Sequence, residues 1–151
     1  MRLLFLDIDG VLNSSRFFAE VKPNPPFGLQ AIDPQAVERL NRIFDATLAN
    51  VVVSSSWRLY MDPLILTWTL QQAGVKGRIV GFTPSEHTSR GKEIDAWLTE
   101  YAQSPTEGAI DAFVILDDDG DIEPHLNRFV RTDWNEGLTD EHVARAIALL
   151  T

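Results

Sequence analysis

The stretch Arg2-Leu3-Leu4-Phe5-Leu6-Asp7-Ile8-Asp9-Gly10 is apolar until it breaks abruptly into acid. A continuous apolar run bounded by a polar turn is the signature of a strand covered on both faces, and it assigns a strand to residues 2–8. The pattern returns at 49–54 and at 112–116, where the apolar residues give way to Ser54-Ser55-Ser56 and to Asp117-Asp118-Asp119. Residues 78–82 and 128–132 are weaker strand candidates.

Helices with legible ends lie between these runs. Asp33-Pro34 supplies an N-cap and a proline at the first helical position, and Val37, Leu40 and Phe44 form one apolar stripe. Ile32 and Val37 stand where a hydrophobic staple would. Asp62-Pro63 repeats this start, and Gly74 ends that helix. Ile94, Trp97, Leu98 and Tyr101 share one face of a third helix. Thr139, Asp140 and Glu141 open a fourth, with Val143, Ile147 and Leu150 turned inward. The order is β-α-β-α-β-α-β, a short turn, then β-α. It predicts an α/β fold: a three-layer, Rossmann-like, mostly parallel sheet with helices on both faces. Ligands of such sheets sit beyond the carboxyl ends of the strands. Asp7 with Asp9, Ser54 to Ser56, and Asp117 to Asp119 are therefore expected to converge.

Composition narrows the setting. A length of 151 residues suits one domain, residues 1–151, able to bury a core without a staple. With no cysteine, thiolate metal sites, disulfides and cysteine nucleophiles are excluded together. No apolar run has the length of a membrane span, and acid arrives too early in the first residues for a signal peptide. The expectation is a cytoplasmic protein with no membrane partner. A net charge of −9 argues against extended binding along nucleic acid. It leaves open the recognition of one phosphate at a chain end.

Two aspartates separated by one residue repel each other, and within a strand they would point to the same side. A hard divalent cation offsets such a pair, and Mg2+ is the usual ion where phosphate is also bound. An aspartate beside that ion can attack phosphorus, and a second can protonate the leaving oxygen and then activate water. Gly10 lets the backbone turn and approach the phosphate closely.

With its apolar approach and the following Val11-Leu12, Asp7-Ile8-Asp9-Gly10 resembles the first motif of the haloacid dehalogenase (HAD) superfamily of phosphohydrolases. The resemblance implies that Asp7 is the nucleophile, Asp9 the acid/base, and Mg2+ the metal, held by Asp7, Asp9, Asp117 and Asp118. In that superfamily a second strand ends in a Ser or Thr that holds phosphoryl oxygens. Here this points to Ser55 first and Ser54 as the alternative, with the Ser56 amide assisting. The third motif is a cation opening a helix, for which Arg90 and Lys92 compete in Ser89-Arg90-Gly91-Lys92-Glu93-Ile94. The fourth is an acidic strand end. Asp117 belongs to it either way, with Asp118 preferred over Asp121 as its companion. Arg58 is weighed as a substrate contact against ordinary solvated charge, Trp57 is read as packing, and His87 is weighed as a loop contact.

Neither interval between the first three motifs has room for a cap domain, so the site should be open. The runs Arg90-Gly91-x-Glu93-Ile94-x-x-Trp97-Leu98 and Val114-Ile115-Leu116-Asp117-Asp118-Asp119 are similar to the capless HAD domain associated with RNA-repair proteins. The implied function is a Mg2+-dependent phosphomonoesterase acting through an aspartyl-phosphate on an exposed phosphate, such as a nucleic-acid end. A phosphotransferase, or a non-catalytic binding module on the same fold, remains the alternative.

Overall fold

The computed structural model describes residues 1–86 and 88–151, so His87 lies outside the described residues. Five strands form one sheet: β1 (Arg2–Leu6), β2 (Asn50–Val53), β3 (Ile79–Phe82), β4 (Ala112–Asp117) and β5 (Phe129–Arg131). Their order is β3-β2-β1-β4-β5, and every neighbouring pair is parallel. Leu6 pairs with Val53 on one side and with Leu116 on the other, so β1, β2 and β4 end level.

The helices are α1 (Ser15–Val21), α2 (Pro34–Thr47), α3 (Pro63–Gln72), α4 (Arg90–Gln103) and α5 (Asp140–Leu150). The chain runs outward from β1 to β2 and β3, then crosses back to β4 on the other side of β1. Right-handed crossovers that reverse direction must place their helices on opposite faces, and the packing obeys this. Leu4, Leu6, Val51, Val53 and Leu116 share one core with Leu40 of α2, Leu66 and Leu70 of α3, and Val143 of α5. Leu3, Phe5, Val52 and Ile115 face the other way, onto Ile94 of α4 and Ile122. Because both faces are covered, both parities of β1 are apolar, which is why its sequence reads as an unbroken run.

Sequence cues placed the helix starts well. Asp33, Asp62, Ser89 and Thr139 each accept a hydrogen bond from the first turn of the helix they precede. Three features differ from the sequence reading. First, β1 ends at Leu6 rather than residue 8, since Asp7 bonds its own neighbour's amide and Ile8 accepts from Val11 and Leu12 in a turn. Second, β4 and β5 are parallel, so they cannot be joined by a short turn; residues 118–128 cross the sheet face instead. Third, α1 is an additional helix, capped by Ser14 and anchored by the buried Phe17.

Among the described residues, the interval from Asp7 to Ser54 holds only α1, a short 3-10 turn and α2. That from Ser54 to Arg90 holds a 3-10 turn, α3 and β3. Neither contains a cap domain. Among the described residues, no helix is long and apolar enough to cross a membrane.

Leu4 is fully buried between the central strand and the helices. Leu4→Ala is expected to lower unfolding free energy by about 2–5 kcal/mol in urea denaturation. A loss within about 0.5 kcal/mol, the range of surface substitutions, would contradict this packing.

Candidate active site

The reversal of strand order between β1 and β4 opens a crevice at their carboxyl ends, and acids fill it. Asp7 is the first residue past β1, and its amide extends the ladder to the Leu116 carbonyl at 3.1 Å. Asp117 ends β4 and Asp118 follows it. Asp7, Asp117 and Asp118 each offer a carboxylate oxygen within 4.8 Å of the others. Asp7 is 5% exposed and Asp117 is completely buried. Gly10, at φ 82°, makes this crowding possible, because a Cβ there would stand 2.2 Å from Asp118 Oδ2. The glycine thus admits a carboxylate, a role its position beside the first motif did not reveal.

Among the described residues, a single cation enters this cluster. Arg90 Nη1 donates to Asp117 Oδ2 at 2.8 Å and lies 3.4 Å from Asp7 Oδ1. Arg90 is delivered by the start of α4, which Ser89 caps by accepting from the Lys92 amide. Gly91 fixes its approach. The Gly91 amide donates to the Asp121 carbonyl at 2.9 Å. A Cβ on Gly91 would meet Ile122 and Glu123 backbone atoms at 2.1–2.3 Å. Lys92 is exposed and makes no ion pair among the described residues. The Asp121 side chain is likewise exposed and stands outside the three-carboxylate cluster.

Burial holds the Asp7 carboxyl well above the ordinary carboxylate range, and the charge of Asp117 raises it further, against Arg90. Burial also raises Asp117, opposed chiefly by Arg90. Asp118 is raised by burial too, with the charges of Asp119 and Asp9 adding to it. Burial alone would lower Arg90, but the charges of Asp117 and Asp7 outweigh it and hold the guanidinium firmly protonated. Three carboxylates against one guanidinium leave negative charge uncompensated, and every donor is oxygen. That set fits a hard metal cation.

Asp9 is placed differently. Because β1 has already ended, strand alternation no longer puts Asp7 and Asp9 side by side. Asp9 Oδ1 accepts from Asn13 Nδ2 at 2.9 Å, and Oδ2 accepts from Trp57 Nε1 at 3.2 Å. Its carboxylate stands apart from the three-acid cluster. Trp57 is fully buried, as a packing residue should be, yet it also aims a donor into the site. Asn13 was not anticipated. Its Oδ1 accepts from the Gly10 amide, so one side chain fixes both the turn and the second aspartate.

The Ser54 amide continues the ladder by donating to the Leu6 carbonyl at 2.9 Å, which puts Ser54 beside Asp7. Its hydroxyl is buried without a partner among the described residues. The Ser55 hydroxyl accepts from the Trp57 amide at 3.2 Å, capping the 3-10 turn Ser56–Leu59. Ser54 therefore has a wholly unpartnered hydroxyl, while Ser55 accepts one bond and keeps its own O–H to donate.

Arg58 is neither solvated nor open to a ligand. It donates to the Ser54, Ser55, Thr83 and Pro84 carbonyls and, at 2.9 Å, to Glu93 Oε1. Glu93 Oε2 accepts from the Glu86 amide in turn. Both side chains are 8% exposed. Removing either partner would strand the other charge in the interior, a cost of about 3–5 kcal/mol. This clamp ties the serine loop to α4 and hence to Arg90. Nothing in the local sequence around Glu93 signals it.

Gly91→Ala is expected to destabilise the protein by on the order of 1–3 kcal/mol through backbone overpacking. It should also separate Arg90 from Asp117, so a crystal structure retaining the 2.8 Å contact would contradict this account.

Residues 3–143 match the family described as "HAD domain in Swiss Army Knife RNA repair proteins". Among curated proteins, none matches the chain. The match covers nearly the whole sequence and runs from β1 into α5, and the residues that suggested the resemblance, Asp7, Arg90, Asp117 and Asp118, meet at one strand-end crevice. The chain belongs to this family of HAD domains.

Proposed function

We propose that this chain is a Mg2+-dependent phosphomonoesterase that works through an aspartyl-phosphate on Asp7. The observation that carries the reading is the convergence of Asp7, Asp117 and Asp118 around Arg90, with Asp9 fixed two residues beyond Asp7 by Asn13 and Trp57. Asp7, Asp117 and Asp118 would hold the ion, which when bound neutralises carboxylate charge and draws electron density from a phosphoryl group.

The chain's own residues supply the rest. Asp7 uses a carboxylate oxygen to form a bond to phosphorus as the bond to the leaving oxygen breaks, and protonated Asp9 gives that oxygen its proton. Asp9, now ionised, takes a proton from a water that attacks phosphorus. Inorganic phosphate leaves and Asp7 is restored. Trp57 and Asn13 keep the Asp9 carboxylate in place through both steps. The Ser54 and Ser55 hydroxyls each keep an O–H to donate to a phosphoryl oxygen, with the Ser56 amide beside them. Arg90 limits repulsion among the acids, a role Lys92 cannot share from its exposed position.

The substrate presents its phosphate at an accessible end, since among the described residues neither interval between the motifs holds a cap. The family's description directs attention to nucleic-acid ends. A net charge of −9 confines such contact to the end rather than a long tract. The absence of cysteine suits the reducing cytoplasm.

The test is hydrolysis of an aryl phosphate with Mg2+. Asp7→Asn is expected to lose on the order of 10³-fold or more in kcat, as removal of a nucleophile does. Asp9→Asn should lose about 10²–10⁴-fold, and least for substrates with good leaving groups. Rapid quenching should leave one phosphoryl group on the wild type and none on Asp7→Asn by intact mass. Turnover that survives Asp7→Asn or complete chelation would overturn the mechanism.

A second outcome concerns pH. Asp7, Asp117 and Asp118 have folded pKa values raised above their unfolded ones. Without metal, the folded state binds the extra protons, so these groups erode stability as pH rises from about 4 through their folded values. Mg2+ competes with those protons. It should raise Tm by several degrees at neutral pH, since about 2.7 kcal/mol is gained at a hundredfold excess over Kd. The gain should vanish near pH 4, and Asp118→Asn should raise the metal-free Tm while abolishing the response. An equal Mg2+ shift at both pH values would refute binding at this cluster.

A further inference from the structure

Two recesses lead away from the acid cluster, and one side chain walls both. The first, of about 310 Å³, is lined by Asp9, Phe18, Pro26 and Trp134. The second, of about 480 Å³, is lined by Asp118, Arg131, Thr132, Asp133 and Trp134. Each begins at a carboxylate of the site, so a group attached to a phosphate there has these two exits.

Apart from Asp9, the walls of the first recess are a phenylalanine, a proline and an indole. It carries no cation and no further acid, which suits a flat, uncharged group. Trp134 is 43% exposed although it is among the largest apolar side chains of the protein. It is also held in position. Its carbonyl accepts from the Ser15 amide at 2.8 Å, and the Phe18 ring packs on it with centroids 5.6 Å apart. The loop that carries it is closed by Gly137 donating to the Asp133 carbonyl at 2.7 Å and by Asp133 Oδ1 accepting from the Asn135 amide. An aromatic face fixed at the mouth of a phosphate site is a stacking surface whose ordering cost is already met by the fold.

Resting on the phosphatase reading above, we propose that Trp134, with Phe18 and Pro26, is the platform on which the nucleobase of a phosphorylated nucleotide stacks while its phosphate lies at Asp7. The recognised chemistry is a nucleoside phosphate, whether free or at the end of a strand. Stacking is the appropriate means for this chain. A molecule of net charge −9 gains little from a polyanionic backbone, whereas base–aromatic stacking contributes about 1–3 kcal/mol per base for any base. Arg131, whose Nε donates to the Asp118 carbonyl, borders the second recess and offers the one cation there, for a neighbouring phosphodiester.

The experiment measures equilibrium binding by calorimetry, with Mg2+, in the full chain carrying Asp7→Asn. The ligands are adenosine 3′-phosphate, adenosine 5′-phosphate, a trinucleotide with a 3′-phosphate, and glycerol phosphate, which has no base. The nucleotides are expected to bind more tightly than glycerol phosphate. Trp134→Ala should reduce that preference by about 5- to 150-fold, the equivalent of one stacked base, and Trp134→Phe should restore most of it. The preference should persist at high salt, as a contact without counterion release does. Tighter binding of the trinucleotide than of the mononucleotides, lost in Arg131→Gln, would assign strand ends rather than free nucleotides. No preference over glycerol phosphate, or a preference indifferent to Trp134, would overturn the platform. Hydrolysis by the wild type, followed separately, decides the phosphatase reading, so either can fail without the other.

Discussion

Repulsion among Asp7, Asp117 and Asp118 is the constraint on which the rest of this structure turns. Parallel strands that end level, as β1 and β4 do, bring whatever follows them into contact, and here acids follow both. Left alone, two buried carboxylates and a half-buried third would protonate or push the strand ends apart. The fold instead supplies one guanidinium, fixed by Ser89 at the helix start and by the close approach of Gly91 to the 121–123 backbone. One arginine is too little to neutralise three acids, and that deficit leaves the crevice fit to hold a cation rather than closed as a salt bridge.

The second layer of the design lies in how the arginine is kept from drifting. Arg58 and Glu93 form a buried pair that joins the serine loop to α4, and the backbone carbonyls around Arg58 use up its remaining donors. A buried pair of this kind adds little net stability over apolar packing. Its value is positional, because it fixes the spacing between the loop that holds Ser54 and the helix that delivers Arg90. On the opposite side, Thr132 donates to the Gly10 carbonyl at 2.6 Å and anchors the first motif to the end of β5. The site is thus held by polar contacts made between loops, above a sheet held by apolar ones.

This division explains what the sequence made legible. Apolar runs in β1, β2 and β4 announced strands, and Asp33-Pro34, Asp62-Pro63 and Thr139 announced helix starts, because these signals are local. Convergence of Asp7 with Asp117 followed from parallel topology. Asn13, Glu93 and the donor on Trp57 were not readable, since each acts on a partner brought close only by folding: Asn13 on the Ala31 carbonyl as well as on Asp9, Glu93 on Arg58, Trp57 on Asp9. The course of β1 was misjudged by two residues for a related reason. Asp7-Ile8-Asp9 keeps an alternating pattern past the point where Asp7 bonds the Ile8 amide and the chain begins to turn.

An open crevice also shifts the burden of selectivity. Where a cap closes over a phosphate, its inner surface can read the rest of the substrate. Among the described residues, the two intervals between the first three motifs of this chain hold short helices, loops and the strand β3. The surroundings of a phosphate held at this crevice would be built from what borders β1, β4 and β5: α1 with Phe18, the proline-rich loop with Pro26, and the loop after β5 with Trp134. These are surface elements: α1 is tied to the Trp134 loop through the Ser15 amide, and the proline-rich loop is closed by Gln30 donating to the Pro25 and Phe27 carbonyls. On the phosphatase reading, discrimination would come from a few side chains at the rim, whose most prominent flat face is the Trp134 indole.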